Sequence, residues 1–407
     1  MAYYFDGIEM KTIAFFIPFY YFGGVERVTD TVTAELVRRN ACKVVLISPH
    51  YDQMSRMRAE AVGYDFVPLE IAPDQRITSR QTSLNVAKIL RQKNIDVLVM
   101  AVNALGYLDE MRETVGRSLT LMYHIHGMPL WEVTAKIDFG RMMARKKSRW
   151  AYWKWSLLKG SKERFFQVYT KRYVKMYRHV YDSVDRMLVL CDSYCEELSK
   201  ILNIPVESEE FKVRSAYNPM DLTEFKVAAA TVKRKEVVYV GRLSYDDKRV
   251  DRLIRIWGRV EKQYPDWRLK IVGDGNEYSS LKSMALDMGL KHIEFCGYSE
   301  NPEVHYATAS ILCLTSSHEG WGMVLAEAMA SGVVPMAFDC SLGVRELLGS
   351  GRGVLVRPFD EEEYARQLSA LMESEDDRAR YRALYPEYVE RFSVSEVAKN
   401  WMRILDI

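Results

Sequence analysis

This sequence of 407 residues lacks the cysteine patterns of disulfide-bonded and zinc-binding proteins, and it lacks long hydrophobic runs. Its six cysteines form no C-x-x-C pair and no Cys/His cluster with zinc spacing, which is typical of proteins from a reducing compartment. No run of about 18 apolar residues occurs, so we expect no membrane-spanning helix. Acidic Asp6 and Glu9 stand where a secretory signal would carry basic residues, so we expect no signal peptide and a cytoplasmic location.

The sequence also has little net charge, because 57 basic residues are nearly balanced by 55 acidic ones. The total of +2 gives no general reason to expect nucleic acid as a partner. Hydrophobic residues make up 48% and charged residues 28%, which excludes a disordered or collagen-like chain. At roughly 150 residues per domain, the length predicts two or three domains.

Short apolar runs alternate with amphipathic helices along both halves of the chain, a pattern typical of parallel sheets covered on both faces. It predicts an α/β protein of two Rossmann-like, doubly wound domains that face a central cleft at the carboxyl ends of their sheets. The predicted strands are 12–18, 43–48, 64–68, 96–101, 118–124 and 186–191 in the first half, and 236–240, 268–272, 293–296, 311–314, 334–337 and 353–356 in the second.

The boundary between the halves is expected where the sequence turns polar. The stretch 203–212 and the Asn218-Pro219 turn are predicted to form a hinge region. The expected division is therefore an N-terminal domain 1–213, a C-terminal domain 214–385 and a helical segment 386–407.

The most informative motif is the segment 317–327, which follows a predicted strand and begins a helix. Gly320 and Gly322 permit a tight turn and close backbone approach. The amides of the first helical turn then form an anion site, which the helix dipole strengthens. Glu319 suits a sugar's hydroxyl groups, and Glu327 is expected to bind a ribose diol through its two carboxylate oxygens. The amides that form the anion site are those of Gly322, Met323 and Val324.

A second cluster, Arg242 and Lys248, follows the predicted strand 236–240. Arg offers a fork for a diphosphate and Lys a point charge, so together they suit a departing nucleoside diphosphate. Asp246-Asp247 lies between them but lacks partners for an octahedral magnesium site, so no metal is expected.

These motifs resemble those of the retaining glycosyltransferases of family 4, which have the GT-B fold, and the resemblance covers nearly the whole chain. Glu319 and Glu327 match the E-x7-E signature, which is a weak pattern alone. The match to the family becomes specific because several of its motifs occur in this sequence in the same order as in the family, each after a predicted strand. The others are Gly23-Gly24-Val25-Glu26 for the G-G-x-E loop, Gly241, Arg242 and Lys248 for G-R-L…K, Val272-Gly273-Asp274-Gly275 for V-G-x-G, and Phe392-Ser393 with Trp401 for a closing helix that crosses back to the N-terminal domain.

The resemblance implies that domain 1–213 is the acceptor side and domain 214–385 binds the nucleotide-sugar donor, and it implies which residues carry the chemistry. It places Glu327 on the donor ribose and Glu319 against the transferred sugar near the reaction centre. Arg242 and Lys248 would bind the diphosphate in place of a metal ion, and no protein nucleophile is implied. The further donor-binding residues are Gly24, close to the phosphates or the acceptor, and Gly297 and Tyr298 in the segment that lines the base pocket.

Two histidines follow the predicted strand 118–124, and one of them is a second catalytic candidate. His126-Gly127 resembles the family's histidine at the edge of the cleft. Because Gly127 marks the start of a loop, we favour His126 as the residue that hydrogen-bonds the transferred sugar and interpret His124 as a packed histidine.

The segment 136–178 differs from the rest of the chain, because it combines 14 basic with two acidic residues and many aromatic ones. Its local net charge of +12 leaves −10 for the remainder. Basic residues favour an anionic lipid surface and Trp and Tyr favour its interface, so we expect this segment to dock on the inner membrane face. An ordinary solvated helical hairpin is the alternative.

The predicted function is transfer of a sugar from a nucleotide-diphosphate sugar to an acceptor hydroxyl of a lipid-linked or polysaccharide precursor, with retention, as the resemblance implies. A UDP-sugar is the first expectation and GDP-mannose the second, and no residue decides between them. Two alternatives stay open, a GT-B nucleotide-sugar 2-epimerase and a non-catalytic binding module at the membrane surface.

Overall fold

The computed structural model describes residues 10–21, 23–101, 105–157, 163, 166–229 and 231–407. The chain divides into two compact units. Unit 1 is Met1–Pro219 with Val394–Ile407, and unit 2 is Met220–Ser393. The chain thus leaves unit 1 a few residues after the expected boundary at 213 and returns a few residues after the one at 385.

Unit 1 is built on a parallel sheet whose central strands are almost entirely buried, as expected for strands covered on both faces. In chain order the strands are β1 (Thr12–Phe16), β2 (Phe19–Tyr20), β3 (Lys43–Ser48), β4 (His50–Tyr51), β5 (Asp65–Pro68), β6 (Val97–Ala101), β7 (Thr120–His124), β8 (Arg186–Val189) and β9 (Val213–Ser215). Seven of them form one sheet in the order β5-β3-β1-β6-β7-β8-β9, and β2 pairs with β4.

Most connecting helices of unit 1 are amphipathic, and several begin at a side chain that caps the first turn. Asp52 accepts from the Ser55 amide at 2.7 Å, and Ser79 accepts from the Thr82 amide at 3.3 Å. The helices are α1 (Gly24–Arg38), α2 (Gln53–Val62), α3 (Arg80–Gln92), α4 (Leu108–Val115), α5 (Trp131–Lys147), α6 (Arg149–Trp155), α7 (Val168–Ser183) and α8 (Asp192–Leu202).

The polar stretch 203–212 lies inside unit 1 and joins α8 to β9, so its prediction as hinge was wrong. The short strand β9 was missed because Val213–Ser215 contains no apolar run. The Asn218-Pro219 turn does lie at the boundary between the units.

Unit 2 has the same plan, with a parallel sheet of order β12-β11-β10-β13-β14-β15, whose strands are β10 (Glu236–Val240), β11 (Arg268–Val272), β12 (Ile293–Gly297), β13 (Ile311–Leu314), β14 (Val334–Phe338) and β15 (Val354–Val356). Its helices are α9 (Leu222–Ala229), α10 (Val250–Val260), α11 (Tyr278–Asp287), α12 (Glu303–Thr308), α13 (Met323–Ala330), α14 (Leu342–Leu348), α15 (Glu361–Glu373), α16 (Glu375–Ala383) and α17 (Tyr385–Glu390). Both sheets are therefore doubly wound and parallel, as predicted.

The C-terminal segment returns to unit 1 as a separate helix, α18 (Val394–Leu405), which packs against α1. The ring centroids of Trp401 and Phe15 are 6.0 Å apart. At the C-terminal end of α18, the last backbone carbonyls accept hydrogen bonds from basic side chains. Lys11 Nζ donates to Leu405 O at 3.2 Å, and Arg186 donates to Ile404 O. Cations at this end are favourable because a helix C-terminus carries partial negative charge.

Candidate functional site

The predicted donor motifs meet at the topological switch point of the unit 2 sheet. Strand β10 pairs with β11 on one side and with β13 on the other, so the chain reverses its winding direction there. Ligands of doubly wound sheets bind beside the carboxyl ends of the strands at such a point. The segment that carries Arg242 and Lys248 follows β10, and the segment that carries Glu319 follows β13.

Lys248 and Glu319 form a short ion pair in this site. Lys248 Nζ lies 2.6 Å from Glu319 Oε1, and the Ser316 hydroxyl donates to the same oxygen at 2.6 Å. The exposed fractions of the two charged side chains are 21% and 9%. Burial, the largest single influence, acts to lower the pKa of Lys248, but the charge and hydrogen bond of Glu319 together with the charge of Asp247 raise that pKa above its ordinary value. The lysine is therefore held charged beside a carboxylate.

Arg242, the second predicted phosphate ligand, is 69% exposed and pairs with Asp247 at 2.8 Å. Asp247 also accepts from the Ser244 hydroxyl, and its carbonyl accepts from the Ser317 amide at 2.7 Å. These contacts connect the loop after β10 to the loop after β13, and they show that Asp247 neutralises an arginine.

The V-G-x-G turn after β11 packs against the loop that carries Arg242. Gly273 has a φ of +137°, and a Cβ atom there would lie 1.9 Å from the Gly241 carbonyl oxygen. The Leu243 amide donates to Asp274 O at 2.8 Å, and the Gly241 amide donates to Val272 O at 3.0 Å. Only glycine allows this close approach of the two turns.

Glu327 lies on α13, where it is 7% exposed. Its Oε2 accepts a hydrogen bond from the Tyr306 hydroxyl at 3.0 Å. Gly322 is the N-cap residue of α13 and has a left-handed φ of +84°. The amides of Met323 and Val324 therefore belong to the first turn of the helix, where the helix itself provides no hydrogen-bond acceptors. The start of α13 thus combines an anion-favouring helix end with a buried carboxylate.

The remaining donor-side candidates end β12. Gly297 is the last residue of that strand, has a φ of +73° and accepts from the Gly273 amide at 2.7 Å. Tyr298 follows it and is 61% exposed. The structure therefore places both beside the V-G-x-G turn.

Unit 1 carries the other two predicted site residues, and they differ in their surroundings. Gly24 is the first residue of α1, and a Cβ atom there would meet no atom within 4 Å. His126 lies just beyond β7, and its ring centroid is 3.9 Å from that of His124. Burial lowers the pKa of His126 to about 4, and burial followed by repulsion from His126 holds the pKa of His124 well below its ordinary value.

Both histidines border a small cavity between β1, β6, α1 and α18, together with the Trp401 ring, which is 5.5 Å from His124. Among the residues that the structure describes, no hydrogen-bond partner reaches His124 Nε2, His126 Nε2 or Trp401 Nε1. His124 is 3% exposed, in line with its interpretation as a packed histidine.

The basic and aromatic segment 136–178 forms parts of α5, α6 and α7. Of this segment, residues 158–162 and 164–165 lie outside the described residues. Trp150 is 71% exposed and Trp153 is 64% exposed, and Lys154 Nζ lies 5.2 Å from the centre of the Trp150 ring. Two indole rings of this segment are thus exposed, and a lysine lies close to one of them.

Sequence reasoning missed three side chains that hold the site together. Tyr306 orders Glu327, Ser316 orders Glu319, and buried Arg252 donates to Thr315 O at 3.3 Å and to the Ser317 hydroxyl at 3.1 Å. None of them belongs to a motif quoted above, since their roles arise from tertiary contacts. A weak signal existed for Ser316, because it lies directly between β13 and the E-x7-E segment.

Two features of the described residues concern cofactors and membranes. No group of three or more His, Cys, Asp or Glu side chains in the described part of the chain is arranged to hold a metal ion. No helix in those ranges combines the length and the hydrophobicity needed to cross a bilayer.

The chain matches two family models in succession. Residues 22–224 match Glycosyltransferase Family 4, and residues 221–384 match Glycosyl transferases group 1. The chain therefore belongs to the glycosyltransferases that combine these two domains, and its two Rossmann-like units have the GT-B fold.

Particular relatives agree with this assignment. An uncharacterized glycosyltransferase of Haemophilus influenzae is 32% identical over 208 residues, which are 48% of this chain and 57% of that protein. The amylovoran biosynthesis glycosyltransferase AmsD of Erwinia amylovora is 32% identical over 175 residues, 43% of this chain and 49% of that protein. The chain thus spans about half the length of these curated relatives. Among solved structures, Anabaena HepE in complex with UDP and glucose has a TM-score of 0.68 at 16% identity, over 97% of this chain and 99% of that one.

Proposed function

We propose that this protein transfers a sugar from a nucleotide-diphosphate sugar to an acceptor hydroxyl, with retention at the anomeric carbon. The observation that carries the proposal is the gathering of two cations, two carboxylates and a helix N-terminus at the switch point of unit 2. Cations and helix amides suit a diphosphate, and carboxylates suit the hydroxyl groups of ribose and sugar.

In this reaction the bond between the sugar and the diphosphate breaks, and the acceptor oxygen bonds to the same carbon from the same face. The acceptor proton passes to the departing diphosphate oxygen, so no protein nucleophile is needed. Lys248 and Arg242 neutralise the charge that develops on the diphosphate, which is the role a metal ion has elsewhere. The backbone amides of Gly322, Met323 and Val324 further stabilise the negative charge on the diphosphate.

The other residues would bind parts of the substrates. Glu327 binds the ribose diol, and Glu319 contacts the transferred sugar near the reaction centre. His126 hydrogen-bonds the sugar as a neutral imidazole, in keeping with its lowered pKa. Gly24 allows the phosphates or the acceptor to approach the start of α1, since the space beside its Cα is open. Gly297 and Tyr298 line the base pocket.

A UDP-sugar is the favoured donor and GDP-mannose the second choice. The UDP and glucose bound by Anabaena HepE support the first, although that similarity is one of fold. The acceptor class is a polysaccharide or lipid-linked precursor, which the amylovoran role in the name of the Erwinia relative supports.

The experiment that tests the proposal is a thermal-shift panel of UDP, GDP and their sugar conjugates, followed by product analysis of the stabilising compound. A ligand at 100 times its Kd should stabilise the fold by about 2.7 kcal/mol. We expect one diphosphate to stabilise the wild type, Glu327→Gln to lose the effect, and Glu362→Gln, an exposed carboxylate on α15, to keep it.

Product analysis then separates the alternatives. Sugar transferred to an acceptor, or slow donor hydrolysis without one, supports the transferase. Formation of a 2-epimer without acceptor would instead support a GT-B epimerase. No stabilisation by any nucleotide would favour a non-catalytic module.

The exposed aromatic residues of segment 136–178 favour a second role, docking on an anionic membrane surface at the inner face of the plasma membrane. We expect flotation with vesicles of 30 mol% phosphatidylglycerol and none with pure phosphatidylcholine, since basic residues contribute about 1 kcal/mol each near an anionic surface. The double variant Trp150→Ala/Trp153→Ala should float less, and Leu286→Ala, an exposed apolar residue of unit 2, should not change flotation. Flotation independent of anionic lipid would contradict the docking proposal.

A further inference from the structure

Lys233, just before β10, makes an unusual set of contacts within unit 2. Its ammonium nitrogen donates to four backbone carbonyls: Ala228 O at 3.2 Å, Tyr306 O at 2.9 Å, Ala307 O at 3.0 Å and Ser331 O at 2.6 Å. These carbonyls lie at the C-terminal ends of α9, α12 and α13. One ammonium group therefore caps three helices.

This arrangement is favourable because the last carbonyls of a helix have no partners within the helix and carry partial negative charge. Burial, with a smaller contribution from nearby Arg382, lowers the pKa of Lys233 to about 8. The side chain is therefore still mainly protonated at pH 7, and an ammonium group has three donors to share among the carbonyls.

The contacts of Lys233 form a closed circuit with the predicted ribose ligand. Lys233 donates to the carbonyl of Tyr306, whose hydroxyl donates to Glu327 Oε2 at 3.0 Å. One turn further along α13, the Ser331 amide donates to Glu327 O at 3.0 Å. The Ser331 carbonyl then accepts from Lys233 and completes the circuit.

The circuit fixes Glu327 at two points, since the backbone of α13 is held at one end and the carboxylate at the other. Tyr306 is fully buried, and it packs against Phe225 of α9 with ring centroids 6.1 Å apart. A shift of α12 relative to α13 would therefore move the Tyr306 hydroxyl away from the carboxylate. Lys233 connects the ends of these two helices directly.

We infer that Lys233 is a positioning residue for the ribose-binding carboxylate, acting on Glu327 through Tyr306 and the end of α13. The inference rests on the proposed function, because it takes Glu327 as the ligand of the ribose diol. Lys233 touches no substrate in this scheme. Its removal should weaken recognition of the ribose hydroxyls more than recognition of the diphosphate.

The test compares binding of UDP and GDP with that of their 2′,3′-dideoxy counterparts, which lack the diol. In the wild type we expect the better of the two diphosphates to bind about tenfold more tightly than its dideoxy form, as for loss of one charged hydrogen bond. Lys233→Met should reduce this ratio to about twofold, with dideoxy binding little changed. Tyr306→Phe, which keeps the ring in the core, should reduce it similarly.

The matched control is Lys235→Met. Lys235 is two residues from Lys233 in the sequence, but it is exposed and pairs with Asp266, so its removal should leave the ratio at the wild-type value. If Lys233→Met is too unstable to measure, Lys233→Arg is measured instead. It keeps the charge but spreads its donors over a plane, so an intermediate ratio is expected.

The outcomes separate the inference from the proposed function. A wild type that binds a diphosphate without discriminating against its dideoxy form, or binds neither diphosphate, overturns the role of Glu327 and the inference with it. A wild type that discriminates, together with a Lys233 variant that retains the full ratio or weakens both ligands equally, overturns the inference alone. A purely structural lysine would give the latter result.

Discussion

Lys248, Glu319 and Glu327 of unit 2 and the histidine pair of unit 1 are poorly exposed polar groups, yet their surroundings differ. In unit 2, Lys248 is paired with Glu319, and Glu327 accepts from Tyr306. In unit 1, His124 Nε2 and His126 Nε2 have no hydrogen-bond partner among the described residues. The first group contains the charged Lys248 and is ordered by protein contacts, whereas the second is neutral at pH 7 and borders a cavity.

The difference has a physical reason. A buried charge costs several kcal/mol unless a partner compensates it, so charged site residues must be paired within the fold. An imidazole avoids that cost by losing its proton, which is the direction of both histidine pKa shifts. We infer that the donor residues are preorganised and that the histidines retain free hydrogen-bonding capacity for a ligand.

The largest effect should come from breaking the buried ion pair. Lys248→Ala leaves Glu319 charged and poorly solvated, so we expect the free energy of unfolding to fall by about 3 kcal/mol. Arg242→Ala removes an arginine that is 69% exposed and should change that energy by less than about 1 kcal/mol. Urea unfolding of both variants measures the contrast.

The two variants should lose similar affinity for the nucleotide although they differ in the free energy of unfolding. Both cations are proposed diphosphate ligands, so each variant should lose at least tenfold in affinity for the stabilising nucleotide, as measured by titration calorimetry. Equal stability losses would contradict the comparison of buried and exposed cations. Retained affinity in both variants would contradict their assignment as phosphate ligands.

The second prediction concerns pH. Because His126 has a pKa of about 4 in the folded protein and about 6.5 when unfolded, the unfolded state binds more protons between these values. Stability from this group is therefore complete above pH 6.5 and is lost as the pH falls toward 4. Between pH 7 and pH 5 the wild type should lose about 2 kcal/mol more than His126→Gln.

Urea unfolding at a series of pH values measures this difference. His179→Gln, which removes an exposed histidine of the same unit, controls for the loss of an imidazole in itself and should follow the wild type. Parallel curves for the wild type and His126→Gln would show that His126 titrates normally, and the contrast with the charged donor residues would then fail.

The elements that the sequence predicts best are those whose signal is local. Strands β3, β10 and β13 have the predicted bounds because each contains four consecutive apolar residues. The terminal segment 386–407 was predicted as one helix, but α17 and α18 are separated where the chain passes from unit 2 to unit 1. That break depends on tertiary packing, which periodicity does not record.

The site divides in the same way. The placement of Arg242, Lys248 and Glu319 was predictable because they follow strands, and the carboxyl ends of neighbouring parallel strands meet. Tyr306 and Lys233 were not, because each acts through contacts with residues distant in the sequence and belongs to no motif. The sequence thus indicates which groups lie at the carboxyl edge of the sheet more readily than which groups hold them in place.

The smallest effect on stability concerns a glycine of unit 1 that differs from those of unit 2. Gly273 cannot carry a Cβ because the Gly241 carbonyl is too close, whereas Gly24 meets nothing within 4 Å and begins α1. Gly24→Ala should therefore be neutral or stabilise the fold by up to about 0.5 kcal/mol, because alanine favours helix. Its turnover of the nucleotide sugar should nevertheless fall at least tenfold, since the new methyl group would occupy the space proposed for the phosphates or the acceptor. Wild-type turnover in Gly24→Ala would instead show that this glycine serves only the turn into α1.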